Sequence, residues 1–459
     1  MIIKKAASVP LITHDPFTSI WSSADHLYDK DTVHWCGASQ TIKGYLMIDG
    51  ITYAFLGDSK MHKRIPQTSL SVTATATEYV FENDAVILKC RFTSPLLLDD
   101  MVLVSRPCTY IDVEVEKKDA SSVALNFEVY DDVVCQDKNT LVGFDGHRKD
   151  YNYTFMGRAV QQPLRGSDDT VTIDWGYVYL ASQEAKAELH YDKYARKISL
   201  STELEDKKPA GFIFAFDDLL SINYFGQWRK AYWTNTYSTI LEAIAAAFAD
   251  KEETLKRAAA LDKDIEDKAM EIGGNEYAFL CNMSYRHAIS AHKLITDEEG
   301  NVLFLSKEND SNGCIGTVDV SYPSIPLFLL YDTEYVKGML RPIFKFTECD
   351  VWEYDFAPHD VGRYPYAWGQ AYAYKENFGD GATEKKIWKP QRSGVFPPFY
   401  MYPAGSDIYD NKYQMPVEEC GNMLIMMAAV CKADGNADFA KPYWDVLKQW
   451  KNYLIEYGS

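Results

Sequence analysis

Apolar and polar residues alternate with a period of two through most of the first 230 positions. Ile111, Val113 and Val115 alternate with Asp112, Glu114 and Glu116, and Val123, Leu125, Phe127 and Val129 repeat the pattern. A strand turns successive side chains to opposite faces, so each run predicts a strand with one buried face. Val171 to Tyr179, Ser69 to Phe81, Lys197 to Thr202 and Gly211 to Phe216 read the same way. Polar turns separate these runs, and together they predict an antiparallel β-sandwich domain over residues 1–230.

Near Tyr232 the period changes. Ile240, Ile244 and Phe248 step by four, as do Leu261, Ile265, Ala269 and approximately Ile272, which predicts two amphipathic helices. Gly273 and Gly274 end the second, and Asn275 caps a third that runs to about Ile295. Glu334 to Phe346, Pro416 to Cys431 and Phe439 to Tyr453 continue a mainly helical domain over residues 231–459. Two irregular stretches interrupt it. Lys307 to Pro323 carries the turn formers Asn309, Asp310, Ser311, Asn312 and Gly313, after which Thr317, Asp319 and Ser321 alternate with Val318 and Val320 ahead of Tyr322. That alternation predicts a short extended run with its polar side chains on one face. Trp352 to Gln414 is rich in Tyr, Pro and Gly, and a loop so long inside a compact domain is usually functional.

Composition narrows the classes of function. A net charge of −19 argues against nucleic acid and anionic membranes as partners, since both recruit clustered Lys and Arg. Hydrophobic residues at 47% and charged residues at 25% suit a globular chain, and 459 residues suit two or three domains. Aromatics reach 14%, enough for wide core packing or for platforms that stack on a ring-shaped substrate. The nine cysteines are scattered without a CxxC pair, as expected of reduced thiols. The opening residues lack the apolar run of a signal peptide and no stretch approaches a membrane span, so a cytoplasmic protein is expected.

Hydrolysis needs one group to activate water and another to protonate the leaving atom, and two carboxylates in different surroundings divide those roles. Asp319, the Asp355 and Asp360 pair flanking His359, and Glu418 with Glu419 are the carboxylates placed for it. The bland reading of Glu418 and Glu419 is that they complement a helix N-terminus. Arg286 and Arg363 are the cations nearest in sequence, each a planar fork for a substrate carboxylate. Ser290 and Lys293 match S-x-x-K but lack the accompanying motifs of that hydrolase class. His14 with Asp15, and His34 beside Trp35, have metal-binding side chains, yet local hydrogen bonding is the expected use, and neither a metal nor an organic cofactor is expected.

The segments KENDSNGCIGTVDVSYPSIPLFLLY, FAPHDVGRYPYAWGQ and MPVEECGNMLIMMAA, with YRHAISAHKL upstream, resemble the glutaminase A family in order and content. The opening VPLITHDPFTSIWSSADHLYDKDTVHWCG and the junction FDDLLSINYFGQWRKAYW extend the resemblance over the whole chain. It implies a β-sandwich followed by an α-helical domain of the (α/α)6 toroid kind, and hydrolysis of L-glutamine to glutamate and ammonia. Carried over by position, Lys307, Asn312, Asp319, His359, Asp360, Glu418, Glu419 and Asn422 fall on motif positions, and Tyr322 lies in the first motif. Three departures stand out: His287 and Ser290 replace the expected glutamine and alanine, Ala371 to Tyr413 reads as an insertion, and the six or seven helices fall short of a closed toroid.

The expected function is therefore a glutaminase-like hydrolase acting on a small molecule. Asp319, His359, Asp360, Glu418 and Glu419 are the catalytic candidates, and Arg286, Lys307, Asn312, Tyr322, Arg363 and Asn422 the substrate-binding ones. The alternative is a glycoside hydrolase or carbohydrate-binding protein, with Tyr366, Trp368, Tyr372 and Tyr374 as stacking platforms. A third reading is a binding module joined to an inactive helical remnant. Oligomeric state has no signature in the sequence.

Overall fold

The computed structural model describes residues 6–136, 139–161, 173–308, 312–375 and 397–458. Contacts divide it into two compact units, residues 6–161, 173–219 and 233–290 in the first and 220–232 and 291–458 in the second.

The first unit holds an eight-stranded antiparallel sheet and a six-stranded sheet, the latter antiparallel except for one short edge pairing. In the larger sheet, Cys108–Lys117 lies between Val86–Thr93 and Ala210–Asp217. Ile111, Val113 and Val115 are fully buried while Asp112, Glu114 and Glu116 are not, as their alternation requires. Val123–Tyr130 is central in the smaller sheet, and its Phe127 meets Phe212 of the larger one with ring centroids 5.0 Å apart. Ser69 to Phe81 is a hairpin, Gln67–Val72 with Ala76–Glu82. Of the strand expected from Val171, residues 171–172 lie outside the described residues and the strand runs Tyr177–Ser182.

A short helix α1 (Met101–Ser105) sits within this unit, along with α2 (Ile240–Ala249) and the long α3 (Lys251–Ser290). The span α3 is two helices that meet at Gly274, as the two glycines led one to expect: its φ of 70° and ψ of −167° are not helical, and essentially only glycine adopts them. Asp262 on α3 accepts hydrogen bonds from the Thr75 backbone and from the hydroxyls of Thr73 and Thr75, which fastens the helix to the hairpin turn.

The second unit carries α4 (Val318–Leu329), α5 (Thr333–Thr347), α6 (Pro416–Asp434) and α7 (Trp444–Tyr457). The helix expected to reach Ile295 stops at Ser290, and His292–Thr296 pairs with Val302–Ser306 as a hairpin. Asp297 closes that turn by accepting from the Asn301 N–H at 2.8 Å. Ser290 thus ends a helix while Lys293 lies in a strand, so the S-x-x-K spacing never becomes one helical turn. The extended run expected after Thr317 is helix α4 instead. Val318, Ser321, Ile325 and Phe328 are its buried residues, three or four apart, and this longer helical period overrides the brief alternation at its start. Phe344 of α5 lies between the rings of Tyr443 and Trp450, at 3.9 and 5.4 Å, and so pins α7.

All nine cysteines are free thiols, five of them buried. Among the described residues, no helix is long and apolar enough to cross a membrane.

Candidate active site

The site grows from the turn at His359 and Asp360, both deeply buried. The Asp360 Oδ1 accepts from the backbone N–H groups of Gly362 and Ala371, each at 2.8 Å. Its Oδ2 accepts from the Tyr372 N–H at 3.1 Å and lies 2.9 Å from His359 Nδ1. Four donors on one buried carboxylate leave it little freedom, and the imidazole is held with it. Gln370 accepts from the His359 N–H at 2.7 Å, and the Tyr372 ring stacks on the imidazole with centroids 4.3 Å apart. Gly362 sits at φ +139°, and a Cβ there would come within 2.0 Å of the Tyr366 carbonyl oxygen.

Two helix beginnings supply the remaining groups. The Val318 N–H donates to the His359 carbonyl at 2.9 Å, which ties the start of α4 to the turn and places Asp319 beside the ring. Asp319 Oδ1 is 3.9 Å from His359 Nε2, too far for a hydrogen bond. Glu419, in the first turn of α6, is fully buried, and Asn422 one turn later approaches its Oε2 at 3.5 Å. One donor atom each from Asp319, His359 and Glu419 lie within 4.8 Å of one another. The Oδ1 of Asp319 and the Oε1 of Glu419 are buried without a hydrogen-bond partner.

Burial pushes the Glu419 carboxyl up to about 8, since the His359 charge and the Asn422 contact offset only part of the desolvation. Burial also works against a charged His359, but the Asp360 hydrogen bond and charge, followed by the charges of Glu419 and Asp319, raise it to about 9. The Cys314 thiol is driven well up by burial and by the charges of Asp360 and Glu308, although Arg363 pulls the other way. A buried thiol of this kind is not a nucleophile.

The other expected residues divide. Arg363 is buried, bridges Cys314 through the backbone, and is near enough to influence its thiol. Tyr322 lies one turn beyond Asp319 on α4, half-buried. Lys307 is buried and donates to the Glu308 carbonyl, and Asn312 accepts from the Cys314 N–H, so both shape the loop before Asp319. Residues 309–311 of that loop, and 376–396 of the expected insertion, lie outside the described residues.

Two expectations need correcting. Arg286 is fully buried in the first unit and donates to the hydroxyls of Thr77 and Thr13, so it is occupied in the core and not placed as a substrate clamp. Glu418 is exposed and remains outside the cluster, where the helix-dipole reading accounts for it. The aromatic platforms are also largely spent: Tyr366 and Tyr374 are buried, and Tyr372 is stacked on His359. His14 bonds the Thr109 hydroxyl, and His34 bonds the Pro16 carbonyl and Cys36, as locally satisfied histidines do.

Sequence reasoning overlooked Glu308 and Gln370. Glu308 is buried and shares a cluster with Cys314 and His359. Gln370 braces the turn from both ends of its amide, donating to the Tyr372 carbonyl and to Gln414. Each lies inside one of the long motifs, which was the available signal.

Comparison with known proteins adds a family. Residues 274–459 match the Glutaminase A six helical-hairpin domain, and residues 75–203 with 194–268, and 3–65, match two domains of unknown function. Glutaminase A of Aspergillus oryzae is 26% identical over 503 aligned residues, covering 98% of this chain and 66% of that protein. A protein of Arthroderma benhamiae named as a probable glutaminase is 24% identical over 197 residues, covering 43% of this chain and 19% of its own length. The chain thus spans just under two thirds of the first relative and about a fifth of the second. A solved structure titled as a kojibiose phosphorylase from the human microbiome superposes with TM-score 0.44 and 8% identity, over 77% of this chain and 49% of that one, too loosely to carry an argument. An antiparallel sheet-rich region followed by helices that match the six-hairpin domain, with 98% of this chain aligned to glutaminase A, makes the chain similar to the glutaminase A family.

Proposed function

We propose that this chain is a hydrolase of a linear carboxamide, with L-glutamine as substrate and glutamate and ammonia as products. The observation that carries the reading is the convergence of Asp319, His359 and Glu419 from three separate stretches of the helical unit, with two buried carboxylate oxygens unpartnered. Attack of water on a carboxamide carbon requires a proton to be taken from the water and another given to the departing nitrogen. Asp319, the least buried of the three, accepts the proton of the attacking water. His359, oriented through Nδ1 by Asp360, gives a proton from Nε2 to the leaving ammonia. Glu419, its carboxyl pushed up to about 8 by burial, lies beside the ring mostly as a neutral acid at pH 7, and Arg363 offers a planar fork to the substrate carboxylate.

Ammonia release from L-glutamine tests this. Asp319→Asn and His359→Ala are each expected to lower kcat by about 10²–10⁴, read on protein that circular dichroism shows to be folded. Unchanged turnover in both would remove the proposal. A glycosidic substrate is the second reading, because the carboxylate oxygens lie within 4.8 Å, nearer the spacing of about 5 Å used by retaining glycosidases than the wider inverting one. Cleavage in an oligosaccharide screen, with no ammonia from glutamine, would select it.

A further inference from the structure

We propose that Asp319, His359 and Glu419 form a binding site for one divalent transition-metal ion of the zinc class. Acidic side chains cluster often without binding anything, but three further features set this cluster apart. Glu419 is fully buried and its Oε1 has no hydrogen-bond donor; Asp319, in the same cluster, has an Oδ1 that also has none. An unpartnered carboxylate oxygen out of water is costly, and two in one cluster compound the cost, which a cation bound by both carboxylates removes.

The imidazole is already arranged for a metal. Asp360 occupies Nδ1, which leaves Nε2 as the ring nitrogen facing Asp319. A histidine that binds metal through one nitrogen while a carboxylate holds the other is the recurrent second-shell arrangement of zinc sites. Here that carboxylate is itself immobilised by three backbone N–H groups.

The distances fit. Ligands about 2.0–2.2 Å from a metal lie about 3–4.4 Å apart. The separation of Nε2 and Asp319 Oδ1 is 3.9 Å, and all three donors lie within 4.8 Å, so closure requires shifts of well under a bond length. One nitrogen and two carboxylate oxygens favour zinc, manganese or iron over calcium and magnesium, which prefer oxygen alone. Three protein ligands leave a position open to water.

Metal and acid catalysis exclude each other at His359, because a ring bound through Nε2 has no proton there to give. The loaded protein is therefore inactive as an acid–base amidase. That consequence rests on the proposed function; the binding does not.

The test is equilibrium dialysis of the chelator-stripped full chain against Zn²⁺, with Ca²⁺ in a parallel arm. One zinc per chain is expected, with no calcium retained. Asp319→Asn and Glu419→Gln should each weaken zinc binding at least tenfold, and Asp360→Asn by about 10–100-fold through the lost orientation of His359. Glu418→Gln, an exposed neighbour on the same helix turn, should bind as the parent does. Circular dichroism of each variant checks that it is folded. Failure to retain zinc, or retention unaltered in both ligand variants, would overturn the site. Ammonia release is read separately, so loss of the amidase reading leaves the binding result standing.

Discussion

Asp360→Asn is the most demanding single change for this site, because it alters one atom on a carboxylate with no exposure to solvent. The amide can satisfy only one side. Kept toward Gly362 and Ala371, its oxygen preserves two hydrogen bonds, while its NH₂ faces the Tyr372 N–H and His359 Nδ1. Turned the other way it leaves two buried N–H groups unmatched. In the better orientation the Tyr372 N–H loses its acceptor, at a cost of about 1–3 kcal/mol, and the charge-assisted bond to His359 is lost, worth about 1.5–3 kcal/mol. The expected destabilisation is about 3–5 kcal/mol. Nδ1 must then accept a hydrogen bond, so the ring becomes a neutral imidazole whose Nε2–H is far too weak an acid to protonate the leaving nitrogen. A fall in kcat of about 10²–10⁴ follows. Urea unfolding and ammonia release, measured on the same preparation, test both numbers. Stability within about 1 kcal/mol of the parent, with turnover within about threefold, would refute the reasoning about how this carboxylate is held.

Phe344→Ala empties the space between Tyr443 and Trp450 and should cost about 3–5 kcal/mol in urea unfolding; a loss below about 1 kcal/mol would mean that the stack does not anchor α7. Burial alone would raise the Glu334 carboxyl, but Arg341 and Lys337 outweigh it and hold it below the usual range, and Lys337 and Thr333 do the same for Asp434. Both acids therefore contribute stability that is fully present above the unfolded carboxylate values and is lost as pH falls through the lower folded ones. Lys337→Met should remove about 1–2 kcal/mol at pH 7 and flatten the acid limb of a stability-against-pH curve. Gly362→Ala drives a Cβ into the Tyr366 carbonyl and should unfold the site, seen as loss of soluble protein, whereas Gly421→Ala, with nothing within 4 Å inside α6, should raise stability by up to about 1 kcal/mol.

The sandwich strands were legible because burial on one face imposes a period of two, and Val113 or Phe127 has no other way to reach the core. The start of α4 was not. Thr317 to Tyr322 carries an apparent alternation, and only the wider set of Val318, Ile325 and Phe328 reveals the helix. Asp319, His359, Asp360 and Glu419 were legible as carboxylates and a histidine within long motifs. What the sequence could not convey was which acid turns inward: Glu418 and Glu419 are neighbours, and one helical step of about 100° separates solvent from cluster. Arg286 was misread for a related reason. Its two threonine partners lie more than two hundred residues away, so nothing local signals that its guanidinium is committed to the core.

The two prolines of α4 bear on how the helix behaves as a mechanical part. Pro323 has no N–H to give the Asp319 carbonyl, and Pro326 none for the Tyr322 carbonyl, so the ladder lacks two rungs within twelve residues. A helix missing rungs is soft in bending. Its first turn, secured to His359 through the Val318 N–H, can tilt while the later turns stay packed. Asp319 thus sits on a spring rather than a post.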